Sequence, residues 1–342
     1  MYSETDLESA VAAGAITPAN VAALRAHVAA RQAAPAVDEE HFRLITGFND
    51  IFVSIAIALL LIALGQIGGQ VTSGLGGALV AAASWGLAEY FTARRRMALP
   101  SIILLLTFIG GIGAALIGAV VPLDHGWSDR THALIGGGMA LVCAAAAWLH
   151  WRRFSVPITV AAGAASLVGV AVALVLAAVP AAKDAVWPLL LIGGVAVFAF
   201  AMRWDLSDPE RRTRRADVAF WLHLVAAPLI AHPVFQMLGV FGGEVTLATA
   251  LIVLALYLAF AFVALAVDRR ALLVSGLVYV LYAMYALFRS AGAVELSAAF
   301  TALIIGSALL TLSAFWQPMR RLVVGTLGSL AGRLPPVALL PV

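Results

Sequence analysis

Ten apolar runs of about 20 residues each divide the chain, near 51–69, 71–92, 100–121, 132–151, 156–179, 185–202, 218–241, 245–267, 271–288 and 294–316. A helix of that length crosses the hydrocarbon of a bilayer, and lipid leaves the backbone no other hydrogen-bonding partner than itself. Hydrophobic residues make up 63% of the 342 positions and charged residues 11%. A soluble domain carries about 45–50% and about 25%. The balance excludes a soluble enzyme, a nucleic-acid-binding domain and a disordered chain. The expected fold is all-α, a polytopic transmembrane helix bundle of about ten spans, and its first partner is the lipid bilayer.

The charges say which way the bundle faces. If the amino end lies in the cytoplasm and the chain crosses ten times, all of the 21 Lys+Arg residues except Arg130, Lys183 and Arg289 fall on the cytoplasmic side. The positive-inside rule predicts such an imbalance. A missed or extra span would break the alternation, so both ends are expected inside, in a bacterial inner (plasma) membrane. The opening Met1-Tyr2-Ser3-Glu4-Thr5-Asp6 is polar and acidic, without a basic stretch or an early apolar core. No cleaved signal peptide is expected from it, and the first run serves as an uncleaved insertion signal.

Three regions follow. Residues 1–49 form a cytoplasmic helical segment and linker, 50–316 the transmembrane domain, and 317–342 a cytoplasmic or interfacial tail. In the first, Thr5 and Glu8 fit a capping box, Gly14 ends that helix, and Thr17-Pro18 opens a second one. Leu7 and Val11 share one face; Val21, Leu24 and Val28 share another. Such a hairpin is too small for its own core and is expected to dock on a protein partner, a second copy or the membrane domain. Residues 33–40 read as linker. In the tail, Arg320 and Arg321 alternate with Leu322, Val323, Val324, Leu327 and Leu330, which fits either an interfacial helix ended by Pro335-Pro336 or a frayed end.

Ionisable groups in lipid are costly and mark function by default. The seventh run is the richest in polar groups, with Asp217, His223, His232 and Gln236, and it is interrupted by Pro228 and Pro233. His223 stands about 9 Å and His232 about 22 Å beyond Asp217 along the axis. His232 and Gln236 share a face, while nine residues put His223 and His232 on opposite faces of a straight helix. Each proline removes a backbone donor and frees a carbonyl. A helix of this kind lines solute sites in transporters; the competing reading is that each imidazole bonds a neighbouring helix and the prolines merely bend the span. Arg289, which closes the ninth run on the outer side after Tyr279, Tyr282 and Tyr285, joins the candidate solute-binding set. Those tyrosines, at i, i+3 and i+6, form either an interface belt or a cavity wall.

Other polar groups read as structural. Glu89 lies one turn before Arg94 and is expected to pair with an arginine rather than to carry a proton. Asp50 and Glu244 open the first and eighth runs, where the helix dipole favours negative charge. Asp124, His125, Asp129, Arg130 and His132 crowd the loop after the third run, but their spacing matches no metal motif and reads as a solvated loop. Cys143, the single cysteine, excludes an internal disulfide and reads as a small packed residue. His132 with His232, and His150 with His223, are poorly matched in depth for a bis-histidine haem. No cofactor or metal is expected, and no hydrolase, protease or ATPase motif is present.

The arginine clusters recur. Arg94 to Arg152 and Arg153 to Arg211 are each 58 positions, Arg212 to Arg269 is 57 and Arg270 to Arg320 is 50. Ala78-Leu79-Val80-Ala81-Ala82-Ala83-Ser84-Trp85 also echoes Ala140 to Trp148, and each is followed by an arginine cluster and a proline. Five hairpins of common ancestry would give this period; so would any ten-helix chain with short loops. The Gly- and Ala-rich second and fourth runs are expected inside the bundle, since small residues let helices approach closely in lipid.

The layout of Leu7, Ala13-Gly14-Ala15-Ile16-Thr17-Pro18 and Leu24, followed by a linker and a long polytopic domain, resembles the uncharacterised bacterial DUF2157-type membrane proteins. The likeness spans roughly the first 70 residues and carries no activity or functional residues with it. From the residues themselves, the leading expectation is a small-solute or ion transporter with its polar site on the seventh run. The alternatives are a membrane scaffold, assembly factor or sensor that grips a partner through its amino-terminal helices, and a membrane-embedded metal or haem redox protein.

Overall fold

The computed structural model describes residues 9–24, 48–208, 211, 213–239, 246–290 and 296–334. Among these there is no β-strand. The chain separates into two compact units, one of residues 1–42 with 337–342, the other Arg43–Pro336.

In the smaller unit, helical turns cover 9–12 and 18–24. Gly14 sits between them at φ +68°, where a residue without a Cβ avoids the left-handed penalty. The hydroxyl of Thr17 accepts from the Asn20 N–H at 3.2 Å, as a helix cap should. The Thr5–Glu8 capping box and the 33–40 linker lie outside the described residues.

The larger unit holds eleven described α-helices: α1 (Phe48–Val71), α2 (Leu75–Phe91), α3 (Ala98–Val120), α4 (Asp129–Phe154), α5 (Ile158–Ala178), α6 (Val186–Leu206), α7 (Arg214–Met237), α8 (Leu247–Val267), α9 (Ala271–Ser290), α10 (Ser297–Ala314) and α11 (Trp316–Thr326). Nine of them are long and apolar enough to cross a membrane. The exception among the first ten is α2, whose 17 residues stand at the short end of the range for a crossing. Many of the large apolar side chains on these helices face outward, as lipid contact requires.

Successive helices pack as antiparallel pairs, α2 with α3, α4 with α5, α6 with α7 and α8 with α9. The turns inside these pairs are the arginine-rich ones. Each contains one non-glycine residue at positive φ: Arg96 at 54°, Ser155 at 52°, Arg211 at 52° and Asp268 at 57°, the only four among the described residues. A left-handed residue ends a helix abruptly and lets the next one start back alongside it. The residue after it turns inward in three of these turns, as buried Met97, buried Val156 and buried Arg269.

The small-residue expectation holds for one run and fails for the other. A Cβ on Gly76 would overlap the Gly65 carbonyl oxygen of α1, and one on Gly77 the Ala115 nitrogen of α3. So α2 is wedged between two backbones that only glycine admits. By contrast α4 is peripheral, with 11% of its apolar window buried. A Cβ on Gly136 or Gly138 would meet nothing within 4 Å, and only Gly137 faces a neighbour, Ala173 of α5. Two other small residues of α4 also meet α5, Ala140 beside Gly169 and Ala147 beside Gly163.

The axis of the bundle is α7. Of its window 56% is buried, the largest share of any span, and it packs against α5, α6 and α9. It runs unbroken through Pro228 and Pro233. Pro233 cannot donate to the Leu229 carbonyl, and Gly194 of α6 lies against that group, where a Cβ would come within 2.8 Å of the oxygen. At the far end of the chain α11 is a docked helix rather than a frayed tail, with Trp316, Arg320 and Val324 buried along one face.

Candidate functional site

The polar groups of α7 form two nodes. The first is at the arginine-rich end. His223 is fully buried, and its Nε2–H donates to Oδ2 of Asp205 at 2.8 Å. Asp205 lies in the last turn of α6 and is itself buried. Its carboxylate also accepts from Arg269, from Nε at 3.2 Å and from Nη2 at the other oxygen. The same guanidinium reaches the Ala216 carbonyl of α7 at 3.2 Å. A carboxylate, an imidazole and a guanidinium from three chain segments therefore meet out of solvent.

The local reason is the turn between α8 and α9. Arg269 follows the left-handed Asp268 and occupies the inward position that Met97 and Val156 fill in the earlier turns. A guanidinium there would be prohibitive without a counter-charge. Asp205 supplies it, and a bidentate fork from arginine to carboxylate is the geometry that best offsets desolvation. Phe198 closes one side of His223, with ring centroids 5.2 Å apart. His223 Nδ1 is buried and has no hydrogen-bond partner among the described residues.

A second layer surrounds this node. Asp268 accepts from Arg211 Nη1 at 2.9 Å and from the Trp316 indole at 2.8 Å, and Arg320 Nε lies 3.6 Å from it. Arg211 also caps the end of α8 through the Val267 and Asp268 carbonyls, at 3.3 and 3.0 Å. The Arg270 guanidinium lies 4.8 Å from the Trp316 ring centroid. Thus α11 is tied to the same turn that delivers Arg269.

The second node lies further along α7. The Nδ1–H of His232 donates to the Tyr279 hydroxyl of α9 at 2.7 Å, and the Gln236 amide donates to His232 Nε2 at 3.3 Å. Trp187 of α6 meets the imidazole edge-on at 5.3 Å. Phe235 stacks on Tyr279 at 4.2 Å.

Of the residues singled out from the sequence, His223 anchors the first node, and His232 with Gln236 the second. Asp217 is half-buried in the first turn of α7, within electrostatic reach of Arg269 and Arg214. Arg289 is not brought to either node: it is exposed at the last turn of α9, and no hydrogen bond or ion pair joins it to the others among the described residues. The tyrosine strip divides, since Tyr279 turns inward to His232 while Tyr282 and Tyr285 are exposed. Asp205 and Arg269 were hidden in the sequence as charges at run ends, where they look like ordinary loop charges.

The remaining polar expectations resolve simply. Glu89 pairs with Arg153, at 2.9 and 2.5 Å. Asp50 is in the first turn of α1, and Glu244 lies outside the described residues. Asp124 accepts from the backbone N–H groups of Gly126 and Trp127 at 3.0 Å each, and from His132 at 2.6 Å. Those three donors hold its carboxyl down at about 2. Among the described residues no group of three or more His, Cys, Asp or Glu could hold a metal ion. His150 is buried among Trp85, Phe108 and Phe154 and shares a 3.2 Å hydrogen bond with Thr159.

Compared with protein-family models, curated proteins and solved structures, the chain finds no match in any of the three.

Proposed function

We propose that this chain is a ten-span inner-membrane transporter for a small solute or ion, with both ends in the cytoplasm and its polar site along α7. The reading rests on one observation, the buried Asp205–His223–Arg269 node on the most enclosed span. Ionisable groups kept in that setting are expensive, and well-packed apolar side chains in place of a buried ion pair are often no less stable. His223 Nδ1 is the atom left to take a proton or a solute hydrogen bond. With the arginine-rich turns inside, that node faces the cytoplasm, and the His232–Gln236–Tyr279 node stands nearer the outer leaflet.

A second reading is a scaffold or assembly factor. It is favoured by the placement of two clefts on the bundle, of about 940 and 220 Å³, neither of which is lined by a residue of α7.

Water access separates the two without knowledge of the solute. In a Cys143→Ala background, Ala227→Cys, Ala231→Cys and Gln236→Cys are labelled in membrane vesicles with a small charged thiol reagent applied from either face. A transporter exposes at least one of these positions, and protonophore treatment changes its rate. No labelling at any of them overturns the transport reading in favour of the scaffold. The same background with Ser128→Cys or Ala93→Cys checks the topology: an impermeant reagent outside intact cells should reach position 128 and not position 93.

A further inference from the structure

We propose that the cleft between α4, α5 and α6 is a binding site for an anionic phospholipid, with acyl chain in the trough and phosphate at Arg152 and Arg203. The cleft is about 940 Å³, and exposed Leu141, Trp148, Leu167, Ile192 and Phe200 line it on the outward surface of the spans, where lipid lies. Its floor is small and apolar, with Ala144, Gly163, Ala164 and Gly193 among its residues. Its one hydroxyl, on Thr159, already shares a hydrogen bond with buried His150. Along that floor a polar solute finds no partners; hydrocarbon does.

The end of the trough is different. Trp148, Trp151 and Trp204 wall it at the arginine-rich end. Arg152 follows Trp148 by four positions on α4, and its guanidinium lies 5.2 Å from that ring centroid. Arg203 follows Phe200, another lining residue, by three positions on α6. Positions three and four apart share a helix face, so both arginines continue the two walls of the trough outward. Both are exposed, and neither has a carboxylate partner among the described residues. The other arginine of that turn, Arg153, is committed to Glu89.

Two such guanidiniums over an apolar trough complement one ligand chemistry, a phosphate ester carrying long alkyl chains. Basic pockets between spans bind anionic head groups in this way, and indole rings sit at head-group depth. The trough also lies away from α7, so this site stands whether or not the transport reading does.

The test uses the full chain, delipidated in a mild detergent and titrated with brominated phosphatidylglycerol or brominated phosphatidylcholine. Quenching of tryptophan fluorescence reports acyl chains beside the three indoles. Phosphatidylglycerol should quench at lower concentration than phosphatidylcholine. Arg152→Gln with Arg203→Gln should weaken the phosphatidylglycerol titration about thirtyfold, the loss of two guanidinium–phosphate attractions, and weaken phosphatidylcholine much less, because its choline cation already offsets the phosphate charge. Ala164→Leu, which fills the trough, should weaken both. Equal titrations by the two lipids, or a double variant that keeps its preference, overturn the proposal. So does a wild-type dimer in detergent that Ala164→Leu converts to monomer, because the trough then seats a second copy.

Discussion

His223 Nε2 lies 2.8 Å from Oδ2 of Asp205, across the interface of α6 and α7, and both side chains are sealed from solvent. The same carboxylate takes the fork of Arg269 from the turn between α8 and α9. Asp205 is thus the hub of the node, and its loss strands two groups at once. Asp205→Asn leaves a buried guanidinium without a counter-charge, and removing one partner of a buried pair costs about 3–5 kcal/mol. We expect a large fall in thermal unfolding midpoint, read by tryptophan fluorescence in detergent. Asp205→Leu combined with Arg269→Met should recover part of that loss, since the charge is removed with its partner while the His223 N–H stays without its acceptor. Strictly additive single and double variants would mean the pair does not interact.

The ion pair of Glu89 with Arg153 looks similar in geometry and should behave differently. Its side chains are 37% and 51% exposed, so water and salt screen it. Exposed pairs contribute about 0.2–1 kcal/mol. Glu89→Gln should therefore shift the unfolding midpoint little, and less still in high salt. A loss as large as that of Asp205→Asn would show that the surface around Glu89 is covered in the folded protein.

The contrast explains what could be read without coordinates. Hydropathy runs gave the helices, because lipid demands length and apolarity from every span. His223, His232 and Gln236 stood out because they interrupt an apolar run. Their partners did not. Asp205 and Arg269 are 64 positions apart, and each sits where a run ends and charges are commonplace. Only the fold brings those two ends together. Arg289, equally visible in the sequence, ends its run on the side away from the first node and is exposed there. Glycine content was ambiguous as well, since Gly76 and Gly136 look alike in sequence and only one of them meets a facing backbone.

Gly76 accordingly marks a position where one methyl group matters. Its Cβ would overlap Gly65 O and lie 3.0 Å from Gly69 N, all rigid backbone of α1. Gly76→Ala must push α1 and α2 apart, and overpacking of this kind costs about 1–3 kcal/mol. Gly86 lies on the same helix with nothing within 4 Å. Gly86→Ala should be neutral or slightly stabilising, as alanine favours a helix over glycine by about 1 kcal/mol. Equal unfolding midpoints for the two variants would contradict the close crossing of α1 and α2.

The loop that holds Asp124 has its own acid transition. Its carboxyl titrates at about 2 rather than 3.8, drawn down by the hydrogen bond from His132 and by the Trp127 and Gly126 N–H groups. The group is depressed in the folded state, so its contribution is fully present above 3.8 and is lost as the pH falls through 2. Between those values the unfolded chain binds the proton more readily, and wild type should lose stability with falling pH. Asp124→Asn cannot ionise and should lack this increment, so its unfolding midpoint should fall less steeply than that of wild type from about pH 4 to about pH 2. Other carboxylates titrate in the same window, which makes the difference between the two slopes the informative quantity. Parallel slopes would mean that the three donors do not hold the carboxylate in solution. His132→Phe keeps the two backbone donors and removes the strongest one, so it should give a slope between those of wild type and Asp124→Asn.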